Sequence, residues 1–233
     1  MRRPPFQNLL NRLESHYGPQ EPCWPVDPYE FLIWWHCGYP ASDDRCSRGW
    51  ESLSRSIGIQ PERILAAAQA QLAKALKPGG MVPELRAMRL QQIAQRVVNE
   101  YSGSIDSLFT GPLPDVRKAL KRFPNIADPG ADRILLFARK APVAAVPSNC
   151  PHVLVRIVRG LERIDYGATY REAQSLIESG IPEQFQPRQR AYLLLKIHGQ
   201  EICKRKPLCD RCPMRGECRY AQSPGSRAAL GRA

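Results

Sequence analysis

The sequence predicts an all-α fold. Apolar residues recur with helical spacing through nearly the whole chain, strong helix formers lie between Pro and Gly boundaries, and no alternating strand pattern occurs. With 233 residues and 43% hydrophobic residues, the chain can form one large domain or two small ones. No run of 18 apolar residues occurs, which excludes a membrane span, and no apolar leader precedes the chain. We therefore expect a protein of the reducing cytoplasm.

The first helices have the clearest signals. Pro28–Cys37 places a proline in a first turn, directly after Asp27 as a possible N-cap. Trp50–Ile57 is amphipathic, and Pro61–Leu76 is rich in strong helix formers before a Pro-Gly-Gly sequence. Pro83–Tyr101 aligns its apolar residues along one stripe, which predicts a long helix with one buried face.

Shorter helices are predicted in the second half of the chain. One begins at Ser104 or Asp106, and Asp115–Phe123 forms a tight pair with Gly130–Arg139. The same periodicity predicts the last three helices, at Pro151–Leu161, Tyr170–Ile177 and Pro187–Ile202. About ten helices result, and residues 221–233 are predicted to form a flexible tail.

Four cysteines lie within sixteen residues, in the run CKRKPLCDRCPMRGEC, with the spacing C-x5-C-x2-C-x5-C. A single zinc ion usually takes two separated pairs, and only one C-x2-C pair is present. One pair with an outlying cysteine on each side favours a [4Fe–4S] cluster, in which each iron needs its own thiolate. Zinc is the alternative, and a disulfide is disfavoured in a reducing compartment. The candidate ligands are Cys203, Cys209, Cys212 and Cys218.

The other cysteines show no ligand spacing. We predict that each is a small buried hydrophobic residue. These residues are Cys23, Cys37, Cys46 and Cys150.

Positive charge is concentrated near the C-terminus. The chain has a formal net charge of +12, and residues 188–233 contain eleven Lys or Arg residues against three acidic residues. A solvated basic face would explain a charge run of this kind. Because these cations lie on a loop that a metal centre would fix, we instead predict that they bind DNA phosphates. The candidate residues are Lys204, Arg205, Lys206 and Arg211.

Residues 112–140 predict a second phosphate-binding element. A short helix ends at Phe123-Pro124, a compact turn follows, and another helix begins near Gly130. The free amides of that helix's first turn would attract phosphate oxygens. An ordinary helix–helix turn is the alternative, and Asp128 would oppose an anion. The candidate DNA-binding residues here are Asn125, Ile126, Ala127 and Gly130, with Ile126 as a buried pin.

Together the hairpin FPNIADPGADRILLFAR and the cysteine loop KIHGQEICKRKPLCDRCPMRGEC resemble the helix-hairpin-helix DNA glycosylases of the endonuclease III type. The resemblance runs from about residue 27 to 220 and includes PYEFLIWWHCGYPASDD. It implies a two-lobed all-α fold with a six-helix barrel domain at 27–141. The iron–sulfur cluster domain would combine 1–26 with 142–220. Here the first gap between cysteines is five residues, against six in typical members.

The resemblance also implies a chemistry: a nucleotide turned out of double-stranded DNA into the pocket between the lobes. Ser148 and Asn149 fall beside the family's aspartate position and become further candidate DNA contacts. The family's lysine and aspartate positions hold Pro129 and Pro147 instead. Since proline supplies neither an amine nor a carboxylate, AP-lyase activity is not expected.

The catalytic residues are therefore unknown from the sequence. Asp132 and Asp44 are the candidates we retain; Asp128, Asp43 and Lys140 lie in the same segments. The position of the family's gap-filling glutamine falls on Tyr39 or Pro40, so that residue is missing too.

Three hypotheses remain. The first is a DNA glycosylase of base-excision repair with a non-standard active site. The second is an inactive protein on the same fold that recognises distorted, damaged or branched DNA. The third, a redox or zinc protein unrelated to DNA, leaves the hairpin and the charge unexplained. For the first two we expect a monomer that binds damaged or distorted double-stranded DNA, associated with the nucleoid if the source is bacterial.

Overall fold

The computed structural model describes residues 6–161 and 165–223, so most of the predicted tail, residues 224–233, lies outside the described part. The described residues form helices and loops without a strand, which confirms the all-α prediction. The α-helices are α1 (Phe6–Tyr17), α2 (Pro28–His36), α3 (Asp43–Ser56), α4 (Pro61–Ala66), α5 (Gln69–Leu76), α6 (Pro83–Tyr101), α7 (Leu113–Leu120), α8 (Asp128–Phe137), α9 (His152–Arg159), α10 (Tyr166–Gly180), α11 (Phe185–Glu201) and α12 (Arg219–Gln222). Short 3-10 helices lie at Lys77–Gly79, Ile105–Thr110 and Cys209–Arg211.

The chain folds into two compact units. The central unit is Pro22–Ile134, and the terminal unit combines Met1–Glu21 with Leu135–Ala233. Helix α8 begins in the central unit and ends in the terminal one. Each unit has its own buried apolar residues, as expected for a compact domain.

In the central unit, α4 and α5 pack against the long helix α6, and α2 packs against α3 and α6. Helix α2 starts where the sequence predicts. The Asp27 carboxylate caps it by accepting a hydrogen bond from the Glu30 amide at 2.9 Å, and Pro28 occupies the first turn. The aromatic side chains of α2 (Phe31, Trp34 and Trp35) are buried. They provide much of this unit's core.

The predicted helix 61–76 is interrupted. Ala67 has an extended backbone, which ends α4, and α5 begins two residues later. The polar groups exposed by the break are satisfied locally: the Ala68 amide donates to the Gln71 side chain, and Gln91 donates to the Ala67 carbonyl. Helix propensity predicted continuity here, and these two side-chain bonds stabilise the break instead.

Two further helices differ from the sequence expectation. Helix α3 starts seven residues earlier than expected from Trp50, because Ser42 caps its N-terminus and accepts a hydrogen bond from the Arg45 amide. Helix α1 was not predicted, although its leucines at positions 9, 10 and 13 are buried in the terminal unit.

The terminal unit has a core built from α1, α9, α10, α11 and the cysteine loop. Helix α11 approaches the segment before α9 closely at Gly199, where an added Cβ would lie 2.4 Å from the Cys150 Cβ. Glycine is therefore required there. The Tyr17 hydroxyl pairs with His198 Nδ1 at 2.9 Å, which connects α1 to the end of α11.

Of the four cysteines outside the loop, three are buried as predicted, but Cys23 is exposed. That part of the prediction is wrong, because Cys23 lies in a bend of the loop before α2 rather than on an apolar helical face. Among the described residues, no helix is both long and apolar enough to cross a membrane.

Candidate nucleic-acid interface and metal centre

The hairpin joins α7 to α8 through a short turn in the central unit. Asn125 and Ala127 are exposed, and Ile126 between them is buried at 5% exposure. Asn125 has φ +54°, a left-handed conformation that asparagine tolerates better than most residues. Ile126 packs against Gly130, where an added Cβ would meet the Ile126 side chain at 3.5 Å. The buried isoleucine thus holds the turn on the start of α8.

The first turn of α8 offers fewer amide donors than an ordinary helix. The first backbone hydrogen bond of the helix runs from the Ala131 amide to the Ala127 carbonyl. Pro129 has no amide hydrogen. Asp128 also lies in this turn, exposed and paired with Lys121 Nζ at 2.7 Å. The hairpin therefore presents a carboxylate, paired with a lysine, at the position where helix amides attract an anion.

Asp132 is buried in the second turn of α8. The Arg117 guanidinium donates to Asp132 Oδ1 from Nε at 2.9 Å and from Nη2 at 2.8 Å. The carboxylate is 2% exposed. This arrangement ties α7 to α8 and encloses the carboxylate. Asp44, the other retained candidate, is 64% exposed and pairs with Arg48 on α3 at 2.9 Å.

The segment before α9 belongs to the terminal unit. Pro147 is buried, Ser148 is partly buried and Asn149 is exposed. The Ser148 carbonyl accepts a hydrogen bond from the Tyr166 hydroxyl at 3.1 Å. Only Asn149 among these three therefore has an exposed side chain with hydrogen-bonding groups.

The cysteine loop is part of the core of the terminal unit. Cys203, Cys209 and Cys218 are buried, and Cys212 packs against the same cluster. Burial raises the pKa of Cys203 and of Cys212 to about 11, and it also raises the pKa of the other two thiols. The thiols of Cys203, Cys209 and Cys218 further raise the pKa of Cys212, since like charges disfavour ionisation. Because burial disfavours ionisation of these thiols, thiolates at these positions would need a compensating positive charge.

A buried arginine supplies part of that positive charge. Arg156 on α9 lies with Nη1 at 3.8 Å from Cys203 Sγ, and this guanidinium partly offsets the rise in the Cys203 pKa. Arg156 also donates to the Lys204 carbonyl at 2.7 Å. It thus fixes the start of the basic loop. Arg156 was not among the predicted site residues, although an arginine on a strongly apolar helix is a signal that the sequence contains.

The four thiols are soft donors, which zinc and iron–sulfur clusters both accept. In the described part of the chain, no three Cys, His, Asp or Glu side chains converge tightly enough to hold one metal ion. A tetrahedral zinc ion would require sulfurs about 3.8 Å apart, from a zinc–sulfur distance of about 2.3 Å. A four-iron cluster binds each thiolate at a different corner and so spaces them more widely. The loop's soft donors and apolar surroundings suit that group.

The predicted phosphate-binding side chains of the loop are exposed. Lys204, Arg205, Lys206 and Arg211 all project from a backbone that is anchored by buried cysteines. Arg215, close by, pairs with Asp210 at 2.8 Å. Cations on an anchored loop lose less conformational entropy on binding than cations on a mobile one.

The comparisons agree with this geometry. No protein-family model matches the chain. The thymine/uracil-DNA glycosylase of Methanothermobacter thermautotrophicus is 28% identical over 163 residues, covering 68% of this chain and 67% of the relative. The endonuclease III of Rickettsia felis is 28% identical over 164 residues, covering 70% of each chain.

A solved structure, a non-covalent endonuclease III–DNA complex, matches with a TM-score of 0.75 at 16% identity, covering 96% of this chain and 97% of that one. The fold match confirms the predicted two-lobed helix-hairpin-helix glycosylase fold. By sequence and by fold, the chain is similar to endonuclease III-like proteins of the helix-hairpin-helix DNA glycosylase superfamily.

Proposed function

We propose that this protein binds damaged or distorted double-stranded DNA as a base-excision repair glycosylase with a non-standard active site. The observation that carries the DNA-binding part is the set of exposed cations on the anchored cysteine loop. Phosphate binding by fixed Lys and Arg residues is independent of sequence, so these side chains would position the duplex. The names of the relatives, thymine/uracil-DNA glycosylase and endonuclease III, support the reaction class.

The proposal includes a [4Fe–4S] cluster. Cys203, Cys209, Cys212 and Cys218 would hold it, and the cluster would supply four metal–sulfur bonds that fix the loop. Arg156 would offset part of the negative charge of the thiolates. Its hydrogen bond to the Lys204 carbonyl would restrain the backbone that carries the exposed cations.

A second candidate function is recognition without catalysis. Two observations favour it: Pro129 and Pro147 stand where the family has its lysine and aspartate, and Arg117 encloses the carboxylate of Asp132. Such a protein would bind altered DNA through the same loop and turn, and leave the glycosidic bond intact.

A panel of duplexes separates the two functions. The duplexes would carry uracil, thymine mismatches, oxidised pyrimidines, alkylated purines, abasic sites and branches, with binding and alkali-induced scission scored on each. Scission at any altered base supports the glycosylase. Tight binding without scission supports recognition alone.

Charge reversal tests the interface. Arg205→Glu combined with Arg211→Glu should weaken binding on every duplex and reduce its salt dependence. The matched control is Arg55→Glu with Arg63→Glu, two exposed arginines of the central unit. Equal losses from both pairs would contradict the assignment of the loop, because net charge alone would then explain the effect.

A further inference from the structure

We propose that Asp43 is the catalytic carboxylate of this protein and that Arg133 is the residue that positions it. This inference rests on the proposed glycosylase function. Breaking an N-glycosidic bond creates positive charge on the sugar, and a carboxylate beside that sugar is the usual source of stabilisation. With Pro147 at the family's aspartate position, another carboxylate is required.

Asp43 combines partial burial with access to solvent. It is the first residue of α3, next to the capping residue Ser42, and its side chain is 19% exposed. The backbone of a capped first turn fixes where the side chain begins. An aspartate on a helix is also more precisely placed than one on a loop.

Arg133 faces this carboxylate from α8. Its Nη2 lies 3.8 Å from Asp43 Oδ2, and its side chain is 4% exposed. The guanidinium is held in an aromatic cage, with its carbon 3.7 Å from the centre of the Trp24 ring and 5.0 Å from that of Phe31. Trp34 and Trp35 complete the cage at 5.5 Å. Cation–π contacts on several sides leave this arginine little freedom, so the position of its charge is fixed.

The other acids of the same region are placed differently. Asp132 is enclosed by Arg117, so a substrate atom cannot reach it without breaking a buried ion pair. Asp44 and Asp128 are more than half exposed and pair with the exposed side chains of Arg48 and Lys121. An exposed carboxylate in water stabilises a nearby cation far less than a desolvated one does.

Asp43 is paired with a residue of α8, the helix that follows the predicted DNA-binding turn. Arg133 follows Gly130 by three residues, about 4.5 Å along the axis of α8. Arg133, with which the Asp43 carboxylate pairs, therefore lies in the second turn of the hairpin helix. All of these residues belong to the central unit.

In the proposed step, the C1′–N bond of the altered nucleotide breaks, and its electron pair leaves with the base. The Asp43 carboxylate stabilises the positive charge that forms on the sugar. A water oxygen then bonds to C1′, and its proton passes through Asp43 to the departing base. The products are the free base and an abasic site, with no change of oxidation state.

Asp43→Asn tests the assignment on the most reactive duplex of the panel, in single turnovers with protein in excess. The expected result is a rate at least about 100-fold lower, with the DNA dissociation constant within about threefold of wild type. Glu51→Gln, which removes an exposed charge from the same helix, is the matched control and should keep the wild-type rate. An Asp43→Asn protein that cleaves at the wild-type rate overturns the inference and leaves the proposed function standing.

A purely structural role for Asp43 predicts the reverse pattern, with lower thermal stability and an unchanged cleavage rate, and would also overturn the inference. If the wild-type protein binds the panel but cleaves no duplex, the catalytic role of Asp43 and the glycosylase proposal both fail. DNA recognition alone would then remain.

Cys23 offers a second test, by chemical modification of the wild-type protein. Its exposed thiol lies 3.6 Å from Asp43 Oδ2. Alkylation of Cys23 by iodoacetamide, confirmed by mass spectrometry, should block access to the carboxylate and lower the cleavage rate. Treated and untreated Cys23→Ser protein should cleave equally. Complete alkylation with no change in rate would overturn the placement of the reacting sugar beside Asp43.

Discussion

Arg86 orders two neighbouring loops of the central unit with a single side chain. The buried guanidinium donates to the Gly80 carbonyl at 2.6 Å, to the Met81 carbonyl at 3.2 Å, and to the Cys37 carbonyl. An arginine can satisfy this many carbonyls because its five donors lie in one rigid plane. The loop after α2 and the loop before α6 are therefore held together by backbone contacts that other side chains could not replace.

Gly79 is the residue that makes this arrangement possible, so its substitution should be costly. A Cβ at position 79 would lie 1.7 Å from the Cys37 carbonyl oxygen and 2.4 Å from Arg86 Nη1. We expect Gly79→Ala to lower the free energy of unfolding by about 1–3 kcal/mol or more, measured by urea denaturation. Gly111→Ala is the control, because nothing lies within 4 Å of its added Cβ. Equal stability of the two variants would show that the loops are not tightly packed.

His36 gives the stability of the protein a pH dependence. Its ring nitrogens face the Leu32 carbonyl at 2.7 Å and the Pro124 carbonyl at 2.8 Å, and both contacts favour a charged ring. Complete burial outweighs them, with a smaller contribution from Arg89, and lowers the pKa of His36 to about 4. The folded protein thus keeps this ring neutral at a pH where the unfolded chain binds a proton.

The stability contribution of His36 is present above pH 6.5 and is lost as the pH falls towards 4. We expect the wild-type protein to lose about 2 kcal/mol of unfolding free energy between pH 8 and pH 5 through this group. His36→Gln should remove that part of the pH dependence in urea titrations. His16→Gln, at an exposed position, should keep it. A His36→Gln protein with the wild-type slope would mean that the two carbonyls, and not burial, control the ring.

Among the elements, the hairpin departs most from a simple phosphate-binding helix start. Pro129 removes an amide donor and Asp128 adds a negative charge, which Lys121 pairs at 2.7 Å. Asp128→Asn should strengthen DNA binding about threefold to tenfold at low salt, since it removes a repulsive charge and releases a lysine. Asp115→Asn, on α7, makes the same change in net charge at another exposed site. Equal gains in affinity from both variants would show that the effect is not local to the hairpin.

Helices whose boundaries or buried faces are set by neighbouring residues in the chain were predictable from the sequence. The start of α2 follows from Asp27 and Pro28, and α6 follows from its single apolar stripe, since both depend on neighbouring residues only. The break between α4 and α5 was not predictable, because it is stabilised by Gln91 from another helix.

In the candidate site, too, features that depend on residues far apart in the chain could not be predicted from the sequence. The spacing of the four loop cysteines could be recognised in the sequence, because spacing is a local property. The pairing of Asp43 with Arg133 joins positions ninety residues apart, and no local pattern signals an arginine within four aromatic rings. Tertiary packing alone brings them together, so the sequence could only name Asp43 among several acids.

At the level of the whole molecule, the two units depend on different sources of stability. The central unit buries an aromatic core and contains none of the loop cysteines. The terminal unit has three of them in its core and Cys212 packed against that core, so ligation there would contribute directly to folding. Loss of a metal centre should therefore destabilise the terminal unit far more than the central one.

Cys212→Ala tests this difference, because Cys212 is the least buried of the four and its removal leaves the smallest cavity. The purified wild-type protein should be brown and contain iron and sulfide, and the variant should lack both. Hydrogen exchange should then show lost protection in α9 and in residues 203–222, with protection of α6 retained. Cys23→Ala, at an exposed cysteine outside the loop, should keep the iron and the wild-type exchange. A colourless wild-type protein that contains zinc would contradict the cluster assignment, and uniform loss of protection in the variant would show that the two units unfold together.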